Sequence, residues 1–592
     1  MSHPTHRYSL GKRLFPFVEW LKTYQLSFFR DDLLSGLTVA VVLIPQAMAY
    51  AMLAGLPPVY GLYAAAITPL IAALWGSLRQ LATGPIAIMS LLVLTTLSTM
   101  AEPGSTRFIE LSLLLSFMVG VFYLIIGIFR LGIVMAFISH SAVKGFTSSA
   151  AIIISATQLP HLLGLTVSRH EFIFPMLVEI IREITTLKTV TTVLGLASFV
   201  FIYSLKKRRP NFPAGLAAMI ITTLAVWWLG LDEKGVAVLG ETPAGLPAFR
   251  MLEIDYDILG ELVGPAIVIA LVSFAETYSV GKAISSETGQ KLNVNQEFIG
   301  QGMANLIGSF FQCYPVSGSF SRTAINYASG AKTGISSVVS SLSVVLALLF
   351  LTPLLTLIPK AVLAALVIGA VLTLFHPREV IALWKVSRHD GFVAILVFSL
   401  ALITKPDYAL LIGVLASLMF FLWRTMHPRI IRITKDPVHN MFVDADEFNK
   451  PSCPQILQLR SDNVIYFANA EYTVDHLLER LEEVETPLKF LLLDFESVGC
   501  IDITGIDELL VLFDDIRSRG VALVFRGVHI QVQEAMQRSG FIDKLQSECS
   551  LQSGCLIMNR NEAISYLFSH LDHEYCKKNC SYELFYECAT VK

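Results

Sequence analysis

Charged side chains are scarce in this chain. Of its 592 residues, only 15% are Asp, Glu, Lys or Arg, whereas 54% are hydrophobic, and the mean hydropathy is +0.61. A soluble domain carries about 25% charged residues. The composition therefore excludes a soluble protein of ordinary type and predicts a membrane protein.

Several functional signatures are missing as well. The net charge is only -3 and no basic face is apparent, which argues against nucleic acid as a partner. The apolar part contains no phosphate-binding loop, no ATP-binding cassette motif and no cluster of metal ligands. We therefore expect neither an enzyme nor a bound cofactor or metal.

A signal peptide is not recognisable either. The start, "MSHPTHRYSLGKRLFPFVEW", lacks a basic segment followed by an apolar run and a small-residue cleavage site. We expect residues 1–30 to form a cytosolic segment. Basic residues cluster at 206–209, 376–389 and 423–435, and the positive-inside rule then assigns those loops to the cytosol. The prediction is a multi-pass protein of the cell membrane with both termini in the cytoplasm.

Apolar runs recur from Asp31 to about Arg424. About twenty apolar residues cross a bilayer as a helix, and shorter runs are half-spanning or buried among neighbours. On this basis, residues 31–424 form a transmembrane domain of about fourteen spans.

Beyond the last span the pattern changes to mixed and alternating sequence. We interpret residues 425–450 as a linker, 451–570 as a soluble α/β domain and 571–592 as a tail containing cysteines. The expected strands lie within 456–468, 489–497 and 521–527, and the expected helices within 470–485 and 504–520. Seven of the eight cysteines follow the spans, and in the cytosol they would be reduced thiols.

The membrane part has the pattern of an inverted repeat. A span with Gln46 at mid-depth is followed about forty residues later by the break "TGPIAI" at 83–88. A span with Glu276 at mid-depth is followed at similar separation by "SGSFSR" at 317–322. Paired interruptions at corresponding positions indicate the midplane site of a transporter.

Each of the two breaks precedes a short helix. A helix start presents unpaired backbone N–H groups and partial positive charge, so two facing starts form an anion site. Arg322, in the first turn of the second short helix, adds a full positive charge. The alternative is that Ser317, Ser319 and Ser321 only cap a helix while Arg322 reaches a lipid headgroup.

Glu276 lies at mid-depth, and a charged carboxylate at the centre of the bilayer is unfavourable in free energy. It is a candidate proton carrier or a partner of Arg322, and a permanent structural ion pair is the alternative. Sodium ranks lower because it needs more oxygen ligands and the position one turn further is Val280. Lys144 is a weaker candidate for a vestibule charge, since lysines near helix ends commonly reach water.

These motifs resemble the sulfate permease (SulP) family of anion transporters. "PVYGLYAAAITPLIAALWGSLR" at 58–79 is similar to the family signature, although Leu78 and Ala72 depart from it. Four further segments fit the family pattern in the same order: "IPQAMAYA" (44–51), "GFTSSAA" (145–151), "GQGMANLIGS" (300–309) and "GSFSRTAINY" (318–327).

The resemblance implies a 7+7 transmembrane inverted repeat of the uracil-permease type, with a core domain that moves against a gate domain. It also implies a homodimer. It implies an anion between the third and tenth spans. The residues that it assigns to this anion site are Gly84, Pro85, Ile86, Ser319, Phe320, Ser321, Arg322, Gln46 and Tyr50. Glu276 completes the cavity as the site of proton coupling. Sodium-dependent relatives carry hydroxyl side chains at the positions that Val280 and Phe320 occupy here. Valine and phenylalanine have no hydroxyl, and this strengthens the proton hypothesis.

The soluble part resembles a STAS domain. In related anti-sigma-factor antagonists a serine before a helix is phosphorylated, and Thr504 in "FESVGCIDITGIDELL" occupies the matching position. Thr504 is either a regulatory phosphorylation site or the cap of that helix. In the tail, "HLDHEYCKKNCSYELFYEC" at 570–588 is either a zinc site or a reduced segment, and its spacing matches no zinc finger.

The leading hypothesis is secondary active uptake of sulfate by proton symport with an elevator-type movement. Bicarbonate, chloride or dicarboxylate transport or exchange is the close alternative. A passive anion channel, a voltage-driven motor and a membrane sensor are hypotheses of other classes. A pure motor needs no proton carrier such as Glu276, and a sensor that binds no anion needs no paired helix breaks.

Overall fold

The computed structural model describes residues 16–168, 170, 172–209, 212–240, 245–253, 256–350, 355–375, 377–436, 439, 441–548, 556–557, 560–580, 582, 584–585 and 587–588. The chain divides into two compact units, Met1–Leu418 and Met419–Lys592. The first unit is helical, and the second is built on a six-stranded sheet.

The first unit contains two runs of seven apolar helices among its described residues. A short helix, α1 (Phe17–Lys22), precedes them. The first run is α2 (Leu26–Leu53), α3 (Pro58–Trp75), α4 (Ala87–Leu97), α5 (Thr106–Ile128), α6 (His140–Leu163), α8 (Thr189–Arg208) and α9 (Ala214–Leu229). The second run is α10 (Tyr256–Thr288), α11 (Val294–Phe310), α12 (Phe320–Ala328), α13 (Ile335–Phe350), α14 (Lys360–Val371), α16 (Arg388–Ile403) and α17 (Pro406–Met426).

A further pair of helices reveals the repeat. The ten-residue α7 (Ile173–Arg182) lies between the fifth and sixth helices of the first run, and the ten-residue α15 (Pro377–Val386) has the same place in the second. Short 3₁₀ segments at Leu131–Phe137, Glu183–Thr186 and Leu372–Leu374 complete the helical elements. The third helices, α4 and α12, are the short ones that follow the two predicted breaks. The 7+7 organisation expected from the sequence is confirmed.

Length and composition agree with a membrane location. In the described parts of the chain, seven helices are long and apolar enough to cross a bilayer, and α4, α9 and α13 are shorter apolar helices. Large apolar side chains point outward on α8 and α9, for example Val193 (63% exposed) and Trp228 (84% exposed). Such side chains are stable facing lipid hydrocarbon rather than water.

The helices pack in two groups. The first four helices of each run contact one another, with α5 against α11 and α2 against α13, and we name these eight the core group. The gate group consists of the last three helices of each run together with α7 and α15. In it, α14 packs on α6 and α8, while α16 packs on α6. Helix α2 also contacts α14, and α4 contacts α6, so the two groups meet along α2 and α4.

The second unit is an α/β domain. Its strands are β3 (Ile430–Asp436), β4 (Met441–Asp444), β5 (Ile456–Ser461), β6 (Phe490–Asp494), β7 (Ala522–Arg526) and β8 (Leu556–Ile557), in the order β4-β3-β5-β6-β7-β8. Strands β5 to β8 are parallel, and β3 is antiparallel to both of its neighbours. The helices are α18 (Ala470–Glu482), α19 (Ile503–Ser518), α20 (Ile530–Arg538), α21 (Phe541–Glu548), α22 (Arg560–Phe568) and α23 (His573–Asn579).

Two boundaries differ from the sequence interpretation. Residues 425–450 are not a linker, because β3 and β4 in this stretch belong to the sheet and Ile430 is in its hydrophobic core. The tail at 571–592 is not separate either, since Leu584 and Phe585 are buried in the same core. Both segments are rich in polar residues, and their described parts pair with a distant strand or pack into the core of the sheet.

Candidate functional site

Two short strands bring the predicted helix breaks together. Strand β1 (Thr83–Gly84) pairs antiparallel with β2 (Ser317–Gly318), so that Thr83 is opposite Gly318 and Gly84 is opposite Ser317. The Ser319 N–H extends this pairing by donating to the Ala82 carbonyl at 2.9 Å. Each chain leaves the pair and begins a helix within a few residues, so the starts of α4 and α12 lie on either side of it.

The two helix starts differ in their caps. Ser319 caps α12, because its hydroxyl accepts a hydrogen bond from the Arg322 N–H at 3.4 Å. Ile86 precedes α4 in extended conformation and offers no side-chain cap. The first N–H groups of α4 are therefore available to an anion, and the helix dipole favours negative charge there.

Arg322 lies inside the protein, with 1% of its surface exposed. Its Nη1 donates to Gln46 Oε1 at 3.4 Å. A Cβ atom at Gly84 would lie 3.2 Å from Nη2, and Gly84 has φ +150°. Arg322 thus does not reach a headgroup as the alternative required; its guanidinium lies against β1, where only glycine leaves room.

Tyr50, Tyr314 and Glu276 surround this guanidinium closely enough to interact with it electrostatically. Tyr50 and Tyr314 are buried, and the Tyr314 hydroxyl lies 3.2 Å from Ser90 Oγ on α4. Among the described residues, Glu276 Oε2 is buried without a hydrogen-bond partner. Glu276 is near Arg322 but forms no ion pair with it in the described part of the chain, which argues against a permanent structural pair.

Helix α10 carries Glu276 and also holds β2. Thr277 Oγ1 lies 2.7 Å from Ser317 Oγ and accepts from the Gly318 N–H at 3.1 Å. Ser317 Oγ donates in turn to the Ser273 carbonyl at 2.8 Å. The carboxylate is therefore fixed relative to the strand that leads into Arg322.

Helix α11 supplies three polar residues that the sequence analysis missed. Glu297 Oε2 accepts from the Ser77 N–H at 2.9 Å, and Gln301 Nε2 donates to Thr83 Oγ1 at 2.8 Å. Asn305 pairs with both backbone groups of Val316, at 2.9 and 3.0 Å. All three are buried and recur every four residues, so one face of α11 binds both strand segments. That four-residue spacing of polar residues in an apolar helix was the signal available in the sequence.

The remaining predicted residues are distributed around this centre. Pro85 and Ile86 are buried, whereas Phe320 and Ser321 are exposed on α12. Lys144 lies apart and forms an ion pair with Glu379 of α15, which links the two halves of the gate group. It is therefore not a free charge in a vestibule.

Thr504 is the second residue of α19 but not its cap. Asp502 caps this helix, because its Oδ1 accepts from the Gly505 N–H at 2.9 Å and its Oδ2 from the Phe467 N–H at 2.8 Å. A carboxylate reaches the third N–H of the helix as well as a hydroxyl does. The interpretation of Thr504 as the cap was wrong, and phosphorylation of Thr504 stays a prediction.

Four cysteines of the second unit lie near one another: Cys453, Cys576, Cys580 and Cys588. Cys453 interacts electrostatically with Cys576 and Cys580, and Cys576 Sγ accepts from Gln455 Nε2 at 3.1 Å. Burial raises the pKa of the Cys453 thiol to about 11. Within the described residues, no three His, Cys, Asp or Glu side chains are arranged to hold a metal ion. The zinc alternative thus has no preformed site there.

Comparison with protein families identifies both units. Residues 29–397 match the model of the sulfate permease family, and residues 447–554 match that of the STAS domain. Sulfate transporter 4.1, chloroplastic, of Arabidopsis thaliana is 34% identical over 556 residues, which cover 90% of this chain and 80% of that protein. High affinity sulfate transporter 1 of Stylosanthes hamata is 32% identical over 537 residues, covering 86% and 80% of the two chains.

Solved structures share the fold at lower identity. The murine anion transporter Slc26a9 in its inward-facing state superposes with a TM-score of 0.86 at 22% identity and covers 96% of both chains. The transmembrane domain of the cyanobacterial bicarbonate transporter BicA gives a TM-score of 0.59 at 23% identity, covering 67% of this chain and 98% of that domain.

Proposed function

The chain belongs to the sulfate permease family and ends in a STAS domain, and from this premise we propose that it takes up sulfate across a membrane by proton symport. The observation that carries the proposal is the position of Arg322, fully buried beside the start of α4 and near Glu276. A buried, permanent positive charge is stable only if a negative group neutralises it part of the time. Sulfate supplies that charge when it binds.

In this proposal, the anion binds at the uncapped start of α4. Backbone N–H groups from Ala87 onward and the Arg322 guanidinium donate hydrogen bonds to its oxygens, and Gln46 orients the guanidinium. Gly84, Pro85, Ile86 and Tyr50 form the walls. Ser319 acts through its cap on the Arg322 N–H, and Phe320 and Ser321 line the open side.

Glu276 is the proposed proton carrier. Its Oε2 is buried without a partner, so a charge on it is costly unless it faces the guanidinium directly. When sulfate occupies Arg322, the carboxylate loses that compensation and takes up a proton. Anion binding and proton binding thereby favour each other, which is the requirement for symport.

The movement proposed is of the elevator type. The proposed anion site lies entirely within the core group, on α2, α4, α10 and α12, while the gate group packs on it along α2 and α4. A site whose parts all belong to one rigid group can be carried past another group without being dismantled. Plasma-membrane location, cytoplasmic termini and a homodimer belong to the same proposal and follow from the basic loops and the family.

Bicarbonate, chloride or dicarboxylate transport is the alternative within the same site, because one guanidinium and a helix start do not by themselves select sulfate. The names of the relatives favour sulfate, since both plant proteins above are described as sulfate transporters. A passive channel is the alternative mechanism, and it leaves Glu276 without a role.

The test is uptake of labelled sulfate by the purified protein in liposomes. We expect an inward proton gradient to accelerate uptake in the wild type. Glu276→Gln keeps the shape of the side chain but stays neutral, so sulfate should still bind while uptake no longer responds to the gradient. Lys144→Gln, which changes a charge in the gate group, is the matched control and should keep its gradient response.

Three outcomes would contradict parts of the proposal. Wild-type uptake that does not depend on the proton gradient would contradict proton symport. If the Glu276→Gln protein lost sulfate binding but its residual uptake still responded to the gradient, Glu276 would not be the proton carrier. Competition by bicarbonate, chloride or a dicarboxylate that exceeds competition by unlabelled sulfate would change the substrate.

A further inference from the structure

A small cavity lies beside Arg322, apart from the groups that surround the proposed anion. Its polar lining consists of Thr83, Arg322, Asn326, Ser336, Ser337 and Ser340. Gln46, Tyr50 and Glu276, which lie near the guanidinium, do not belong to the lining. The cavity is therefore on another side of Arg322, between α12 and α13 within the core group.

Three side chains of this lining carry polar atoms without a partner. In the described structure, Arg322 Nε and Nη2, Asn326 Oδ1 and Ser340 Oγ are buried and form no hydrogen bond. Each of the three residues is 1% exposed. Buried polar groups are nearly always paired with protein or with ordered water, so these atoms indicate a bound molecule.

Their chemistry is complementary. Arg322 offers only donors, Asn326 Oδ1 only accepts, and the Ser340 hydroxyl does either. Asn326 Nδ2 is already used, since it donates to the Gln80 carbonyl at 3.0 Å and so turns Oδ1 to the other side. A molecule that accepts from the guanidinium and donates to Asn326 satisfies the set, and sulfate and chloride carry no proton to donate.

The size of the cavity limits the occupant. Its volume is about 10 Å³, and a single water molecule needs roughly 10–15 Å³ on this scale. A water molecule fits a space of this size and has the mixed donor and acceptor character that the walls require.

We propose that one buried water molecule bridges Arg322 to Asn326 and Ser340, and that these two residues position the guanidinium for the anion. Asn326 follows Arg322 by one helical turn, so both side chains lie on the same face of α12. Ser340 adds a contact from α13. The water thus holds one side of the guanidinium while Gln46 holds Nη1, which limits its rotation before the anion arrives.

The proposal rests on the proposed function only in naming the ligand of Arg322. Removing the water leaves Arg322 charged and buried but less well oriented. A less oriented donor loses affinity for its ligand, because ordering it becomes part of the cost of binding. Sulfate affinity should therefore fall without a comparable loss of stability.

The first experiment measures binding of labelled sulfate to full-length Ser340→Ala protein. We expect its Kd for sulfate to rise about threefold to tenfold, the range that the loss of one bridging water produces. Ser343→Ala is the matched control, because Ser343 lies on the same helix and its hydroxyl already donates to the Val339 carbonyl at 2.8 Å. The control should bind sulfate as the wild type does.

A coupled variant separates positioning from a merely structural role. If Ser340 acts through the guanidinium, Ser340→Ala should have little further effect in an Arg322→Lys background, since lysine lacks the Nε and Nη2 donors. An unchanged Kd in Ser340→Ala, or the same fold-change in both backgrounds, would overturn the proposal.

A structural readout is independent of sulfate transport. A density map of the wild-type protein at a resolution that shows ordered water should contain one peak within hydrogen-bond distance of Arg322, Asn326 Oδ1 and Ser340 Oγ. The peak should be missing in Ser340→Ala or displaced. An empty cavity in the wild type would refute the bridging water, whatever anion the protein transports.

Discussion

At the scale of single residues, Gly84 and Arg322 depend on each other although they belong to different halves of the repeat. The backbone of Gly84 has φ +150°, which residues with a Cβ rarely adopt, and Arg322 Nη2 occupies the space that a side chain would fill. The glycine therefore allows the guanidinium to lie against β1 and next to the start of α4.

Gly84→Ala should weaken anion binding strongly. The added Cβ would lie 3.2 Å from Nη2 and the backbone would be strained, so the guanidinium must move away from the strand. We expect the Kd for sulfate to rise about fivefold to 150-fold, which corresponds to roughly 1–3 kcal/mol of strain and misplacement. Binding of labelled sulfate to the purified protein measures this.

Gly264→Ala is the control for that substitution. Gly264 lies in α10 without a positive φ, and a Cβ there would meet nothing within 4 Å. Its sulfate affinity should equal that of the wild type. Equal affinity in Gly84→Ala would mean that Arg322 does not need its observed position to bind the anion.

At the scale of elements, α11 organises the site without touching the proposed anion. The buried side chains of Glu297, Gln301 and Asn305 form hydrogen bonds with β1 and with the segments that lead into β1 and β2. Two-stranded pairs as short as β1 and β2 are not stable alone. The polar face of α11 is therefore what keeps both helix starts in register.

Asn305→Leu should destabilise the membrane unit. The Val316 N–H and carbonyl would both lose their partner inside the protein, at a cost of about 1–3 kcal/mol for each group. We expect a clearly lower Tm in detergent and reduced sulfate uptake. Ser309→Ala on the same helix removes a hydroxyl that bonds only within α11, to the Leu306 carbonyl, and should keep the wild-type Tm. A similar Tm in both variants would show that α11 does not support the strands.

At the scale of the whole molecule, the chain combines a helical membrane unit with an α/β domain in which tertiary packing shields the Cys453 thiol. Cys453 precedes β5, whereas Cys576 follows about 120 residues later on α23, yet the two interact. Gln455 joins these segments through its bond to Cys576 and a bond from its Nε2 to the Asp572 carbonyl at 3.0 Å.

The alkylation rate of Cys453 should reflect this packing. Its thiol has a pKa of about 11 because of burial, so it stays protonated near neutral pH, and only the thiolate reacts with maleimides. Mass spectrometry after a short pulse should show slower labelling of Cys453 than of the exposed Cys500. The Cys453 rate should rise as the pH approaches 11, and unfolding in urea should abolish the difference. Equal rates in the folded chain would contradict the observed burial.

The sequence by itself determined the membrane class, the paired breaks and the family, and it identified Arg322 and Glu276 as candidate site residues. Such features can be predicted from sequence because helices form through local hydrogen bonds. Burying a polar side chain in the bilayer also costs free energy, so the few polar residues within apolar spans mark candidate sites. The seven-plus-seven repeat was implied by the resemblance to the sulfate permease family.

Only the tertiary structure decided which distant groups meet. It paired Thr83 with Gly318, placed Arg322 inside the protein rather than at a headgroup, and made Asp502 the cap in place of Thr504. It also placed Ile430–Asp436 and Met441–Asp444 in the sheet as strands. Such contacts join segments far apart in the chain, so their partners depend on how the helices and strands pack and not on any local pattern.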